Sequence, residues 1–276
     1  MNPEANMEHK YSLVHLTAID CPPPDFIRAA AKAGYDCVSL RTIPMGLPGE
    51  IPHDISQDHQ LFTETVRAAR ETGITINDTE NARIFDGVDI RNYEPAIAAA
   101  AELGLHHILS NIWTDDKSYY TEKFGELCAL AARYGLTVNL EFVTWASVKN
   151  LREAAELLHA VDCANAGIVI DFLHYYRSKD TIDEVKKCPI GWFNFVHLCD
   201  APREIPEDKE SLIHTGREER LYPGEGAIDM KSVLQYLPDG VIRGIEVPHL
   251  VRVNEYGVAE HARRALIAAK EYFGEE

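Results

Sequence analysis

One pattern repeats along this chain and restricts its fold more than any other: a helix-like stretch, a glycine, one or two residues, then a β-rich run. It occurs at Gly34, Gly73, Gly104 and Gly135. Glycine takes the left-handed backbone that closes a helix without steric cost, so each of these positions reads as a helix C-cap. The β-rich runs that follow span residues 35–40, 74–77, 106–110 and 136–142. Runs at 11–19, 166–171, 193–198 and 241–247 bring the strands to eight. Between them lie helical stretches at 25–34 and 55–73, two that end at Gly104 and Gly135, one from Asn150, and others at 181–187, 228–237 and 257–273. The stretch from Asn150 carries Leu151, Ala154, Ala155, Leu158 and Val161 at helical spacing.

Strands that alternate with helices are parallel strands joined by crossovers. Eight such units in 276 residues predict an α/β chain folded as a single (β/α)8 TIM barrel, one domain over residues 1–276 with a loose N-terminus at 1–10. A doubly wound open sheet is the alternative, but it favours a glycine-rich turn after the first strand, and Pro22-Pro23-Pro24 stand there instead. The Pro- and Gly-rich residues 44–52 are expected to form a lid or a pocket rim.

Composition narrows the partners. A net charge of −17 argues against a nucleic-acid backbone or an anionic membrane surface. No run approaches a membrane span, and residues 1–10 lack a signal-peptide core, so a cytoplasmic location is expected. The six cysteines show no CxxC spacing and read as reduced thiols in or beside apolar segments. There is no GxGxxG, P-loop or GxSxG.

Four of the apolar runs end on a metal-type ligand: Glu141, Asp171, His197 and Glu246. In a barrel, functional side chains stand where strands end, and consecutive strands bring these four around one rim. Taken singly, each reads as a helix-capping acid or a satisfied histidine. Taken together, three carboxylates and an imidazole make a hard, mainly oxygen site. It suits Mn²⁺ first, with Mg²⁺, Co²⁺ or Zn²⁺ as alternatives.

The motifs Asn139-Leu140-Glu141, Asp171-Phe172-Leu173-His174, Val196-His197-Leu198-Cys199-Asp200, Pro223-Gly224-Glu225-Gly226 and Ile245-Glu246-Val247 occur in this order. The chain thereby resembles the xylose-isomerase-like TIM-barrel superfamily of sugar isomerases, ketose 3-epimerases and inosose or dehydroshikimate dehydratases. The resemblance covers nearly the whole chain. It implies that Glu141, Asp171, His197 and Glu246 bind a divalent metal, that Glu141 and Glu246 double as catalytic acid and base, and that His174 and Arg203 contact substrate. Dimers and tetramers are common among similar proteins, so a homo-oligomer is compatible with it.

The segment between His197 and Pro223 is longer than in the sugar epimerases and carries Lys209, His214 and Arg217-Glu218-Glu219-Arg220. Arg217 and Arg220 are candidates to hold a carboxylate or phosphate of the substrate; the alternative is an exposed helix turn paired with its own glutamates. Glu141 is followed by Phe142-Val143-Thr144-Trp145, so an aromatic side chain is a candidate pocket wall. Strand-end His15, Arg41 and His107 are read either as pocket-lining or as core residues.

The expected chemistry is proton abstraction next to a metal-bound carbonyl, through an enediolate. Return of the proton from the opposite face makes an epimerase or isomerase of a small sugar or polyhydroxy ketone. Loss of a β-hydroxyl makes a dehydratase. A non-catalytic sugar-binding barrel is a third reading. A metal-dependent endonuclease is a fourth, and it lacks both the extra histidine ligands and a basic face.

Overall fold

A computed structural model describes residues 9–46 and 50–275. The strands are β1 (Tyr11–Val14), β2 (Cys37–Arg41), β3 (Thr75–Glu80), β4 (Ile84–Phe85), β5 (His107–Ser110), β6 (Ile112–Trp113), β7 (Thr137–Glu141), β8 (Ala166–Asp171), β9 (Phe195–Leu198) and β10 (Ile242–Ile245). Eight of them close an all-parallel barrel in the order β1-β10-β9-β8-β7-β5-β3-β2, with β2 returning to β1. The closed TIM barrel expected from the glycine pattern is therefore present. Two short strands that the sequence reading lacks, β4 and β6, pair with each other in the loops that follow β3 and β5.

The helices are α1 (Pro23–Ala33), α2 (His59–Thr72), α3 (Glu94–Glu102), α4 (Lys117–Ala132), α5 (Leu151–Val161), α6 (Phe172–Ser178), α7 (Ile182–Val185), α8 (Lys209–Glu218), α9 (Met230–Leu234), α10 (Leu250–Tyr256) and α11 (Val258–Phe273). All four cap glycines have positive φ. At Gly34, where φ is 96°, the backbone N–H returns to the carbonyls of Ala30 and Ala31 and closes α1. α5 and α6 stop without glycine, because Asp162 and Lys179 take the left-handed conformation after them. That is why the glycine pattern fades in the second half of the chain.

Several boundaries differ from the sequence reading. β1 stops at Val14, and residues 15–18 form a 3₁₀ turn. Pro23 and Pro24 begin α1 rather than merely ending a strand, since the first helical turn needs no N–H donors. α2 starts at His59, where the Asp58 side chain caps the N–H of Leu61. β3 continues to Glu80, three residues beyond the expected end. The polar segment 201–225 contains α8, and α6 and α10 were not foreseen. Residues 1–8 of the expected loose terminus and 47–49 of the expected lid lie outside the described residues.

Most apolar side chains lie in one large cluster that joins strands to the surrounding helices. A second small cluster, Leu109, Val169 and Phe195, comes from alternate positions of β5, β8 and β9. The two-residue period of a strand then places Asn111, Asp171 and His197 on that same face, two residues further on. All six cysteines are free thiols. Among the described residues no helix is long and apolar enough to cross a membrane.

Candidate metal centre and substrate cleft

Glu141 ends β7, Asp171 ends β8, His197 lies in β9 and Glu246 follows β10. One ligand atom from each lies within 4.8 Å of those of the others. All four residues are buried. His197 Nδ1 is 3.6 Å from Glu141 Oε1 and 3.6 Å from Glu246 Oε2. Beside it, Gly244 is paired in register with His197, and a Cβ there would come within 3.0 Å of the imidazole and 2.9 Å of Val14. The glycine leaves room for the ring.

The charges are arranged around Arg220. Its guanidinium donates to Asp171 Oδ2 at 2.6 Å and lies 2.8 Å from Glu246 Oε2, while Nε donates to the Gly216 carbonyl at 2.7 Å. Burial opposes the charge on Arg220, but Asp171 and Glu246 outweigh it and hold the pKa well above its usual value. Burial would likewise raise the pKa of Asp171; Arg220, then His174, overcome it and hold the carboxylate far below its ordinary range. For His197, burial disfavours the cation, and Glu246 and Glu141 reverse that and push the pKa well up.

Both ring nitrogens of His197 are buried without a hydrogen-bond partner. A cation between the imidazole and the two glutamates would satisfy Nδ1, the nitrogen that both carboxylates face. With His197 neutral, as a metal-bound imidazole must be, three carboxylates and one guanidinium leave a net charge of −2 on the set, which a divalent ion cancels. The cluster therefore fits a divalent metal. Asp171 also does what an isolated strand-end acid does: its Oδ1 accepts from the N–H groups of Leu173 and His174 and starts α6.

A cleft opens onto these residues. His174, Arg217, Arg220 and Trp145 line it, together with Arg41, Glu80, Asn81, Asn111 and Trp113. His174 is buried; Thr144 Oγ1 is 3.2 Å from its Nδ1, and its ring packs edge-on against Trp145 at 4.7 Å. Burial lowers its pKa to about 3, so the imidazole is neutral. Arg217 is exposed toward the cleft and is ion-paired with no carboxylate among the described residues; burial of part of the side chain and the charges of Arg41 and Arg83 lower its pKa. Arg220, by contrast, is committed to Asp171 and Glu246, and neither arginine pairs with the neighbouring Glu218 or Glu219.

Arg203 stands elsewhere. It is exposed in a separate groove, and its carbonyl accepts the hydroxyl of Tyr176. Of the three strand-end residues with open roles, Arg41 lines the cleft and is tied to Glu80 at 2.7 Å. His15 is a core residue, with Nε2 2.8 Å from the Cys21 carbonyl and Nδ1 accepting from the Arg41 N–H. His107 opens β5 rather than ending it, and it packs on Phe195. Glu80, Asn81 and Asn111 were not singled out for the site. Asn111 donates to Glu141 Oε2 at 3.4 Å and accepts from Trp113 Nε1 at 2.5 Å, which braces the glutamate.

The profile of the family described as xylose isomerase-like TIM barrel matches residues 27–266. The chain belongs to this family. Among similar proteins of this xylose isomerase-like group, an inosose isomerase of Halalkalibacterium halodurans is 24% identical over 252 residues, covering 87% of this chain and 86% of that one. A 3-dehydroshikimate dehydratase of Pseudomonas aeruginosa is 24% identical over 224 residues, covering 76% of this chain and 33% of that protein. A crystal structure of IOLI protein with a bound zinc atom superposes with a TM-score of 0.80 at 18% identity, over 95% of this chain and 97% of that one. Within this shared barrel, the long segment after β9 gives the present chain α8, which leads into both Arg217 and Arg220.

Proposed function

We propose that this xylose isomerase-like barrel is a divalent-metal-dependent isomerase or epimerase of a polyhydroxy ketone, with Mn²⁺ the first candidate metal. The observation that carries this reading is the pair Glu141 and Glu246, each 3.6 Å from His197 Nδ1 and presented from β7 and β10 on either side of it. A divalent metal held by Glu141, Asp171, His197 and Glu246 supplies Lewis-acid polarisation of a substrate carbonyl.

One of the two glutamates removes the proton from the carbon beside that carbonyl, and the other delivers a proton from the opposite face. Two carboxylates on opposite sides are what inversion at a carbon requires. Arg220 keeps Asp171 ionised as a metal ligand and pairs with Glu246 at 2.8 Å, which fixes that carboxylate in place beside the metal position. His174 takes a hydrogen bond from Thr144 on Nδ1, which leaves Nε2 to donate to a substrate hydroxyl. Trp145 walls the cleft and excludes water from the reacting carbon. Arg217, ion-paired with no carboxylate among the described residues, binds an anionic group of the substrate.

A dehydratase is the second reading. Arg217 favours a carboxylate-bearing substrate, and a relative is named for dehydration of 3-dehydroshikimate. The same proton abstraction then precedes loss of a β-hydroxyl. Incubation with metal in deuterated water, over a panel of ketoses, inososes and dehydroshikimate, separates the two by mass spectrometry. Label without loss of mass identifies the isomerase or epimerase. Loss of water identifies the dehydratase. No exchange on any member of the panel counts against both and favours a sugar-binding barrel.

A further inference from the structure

A second concave surface lies beyond the Trp145 and His174 wall, where Thr144 and Arg177 replace them as lining residues. Four cationic side chains line this groove, Lys149, Arg177, Lys179 and Arg203, against one acid, Glu207. This is a reversal for a chain with a net charge of −17. The four come from three separate segments: the loop before α5, the end of α6, and the loop after β9. None of them is ion-paired with a carboxylate among the described residues.

Arg177 is the most informative. It is only 8% exposed, and its guanidinium donates to two neutral acceptors, the Leu212 carbonyl at 3.0 Å and Thr215 Oγ1 at 2.6 Å. A buried guanidinium without a counter-charge is costly. Burial, and then repulsion from Arg220, lowers its pKa to about 10. Arg177 does tie α6 to α8 through these bonds, but that role needs only donors, and a neutral side chain could supply them. Lys179 adds to the argument. It closes α6 with φ at 59°, a conformation that favours glycine, yet a charged side chain stands there.

We propose that this groove binds a small multivalent oxyanion, a phosphate- or polycarboxylate-bearing metabolite, at a site separate from the metal-facing cleft. The anion supplies the counter-charge that the chain withholds from these four cations, with Lys149, Lys179 and Arg203 closing on it from the rim.

The test is isothermal titration calorimetry of the metal-loaded protein with inorganic phosphate and, separately, with tricarballylate, at an ionic strength held constant with chloride. The two probes distinguish a phosphate from a carboxylate ligand. Saturable one-site binding of at least one probe is expected. The double variant Lys149→Gln/Arg203→Gln, whose two sites are exposed, should weaken it by about tenfold or more. Arg217→Gln, in the cleft, should leave it unchanged. Absence of saturable binding overturns the proposal, as does binding indifferent to the double variant. Binding lost in Arg217→Gln instead places the anion in the cleft and overturns it equally.

Discussion

Asp171 and Asp78 are both fully buried in this barrel, and they are held in opposite states. Asp171, at the end of β8, has Arg220 at 2.6 Å, and that guanidinium outweighs burial and keeps it ionised. Asp78, in β3, is ion-paired with no arginine or lysine among the described residues, and His197 offsets its burial only in part. Burial, reinforced by Glu80, pushes its pKa up to about 7. Ser39 Oγ and Asn77 Nδ2 both donate to its Oδ1, at 2.6 and 2.7 Å, and its Oδ2 has no partner. The end of β8 thus stores an ionised carboxylate that suits a divalent ion, while β3 stores an acid that titrates near neutrality. Depth alone does not set a buried carboxylate's charge; a cation within contact distance does.

The comparison can be broken first at the metal. The wild type should carry about one divalent ion per chain by elemental analysis. Glu246→Gln should carry almost none, and proton exchange should fall by about 10²-fold or more. Equal metal in both proteins removes the centre. Next in size, Arg220→Met strips the cation from Asp171 and Glu246. In the presence of chelator it should cost about 3–5 kcal/mol in urea unfolding, as expected for a buried charge left unpaired. A loss within the error of the extrapolation would mean that the guanidinium does not hold these acids.

On the other side, Asp78→Asn tests the neutral acid. The folded protein holds this proton to about pH 7, whereas the unfolded chain releases it near the ordinary value of 3.8. Stability of the wild type therefore falls as pH rises between these values, by up to about 4 kcal/mol from this group. The variant lacks that loss, so its Tm relative to wild type should climb from pH 5 to pH 8. A difference that stays flat with pH sinks the assignment. The smallest effect belongs to Arg217→Gln, which should raise KM for an anionic substrate by about tenfold and leave kcat nearly unchanged. An unchanged KM would show that Arg217 does not select charge.

Much of the barrel was legible because its punctuation is local. Gly34 and Gly73 sit where a helix must stop, and the apolar run 166–170 needs only its own residues to read as a buried strand. The four metal-type side chains were legible for the same reason, since each ends such a run. Glu80 was not. The run Asn77-Asp78-Thr79-Glu80 is polar throughout, and its parallel register with Ser39, Leu40 and Arg41 on one side and with His107 and Ile108 on the other makes it strand. Arg217 and Arg220 lie three residues apart and look alike in the chain. They part because α8 ends at Glu218, after which the Arg220 N–H bonds the Pro248 carbonyl and its side chain turns inward to Asp171.

By itself, then, the sequence determined where strands and helices alternate and which ionisable residues stand at strand ends, because caps, breakers and two-residue periodicity act over a few neighbours. Barrel closure decided what those residues meet. It brought Arg220 to Asp171 across 49 positions and left Arg203 in another groove. Charge state follows from such long-range neighbours, through Coulomb interaction in a buried site, and no local pattern encodes it.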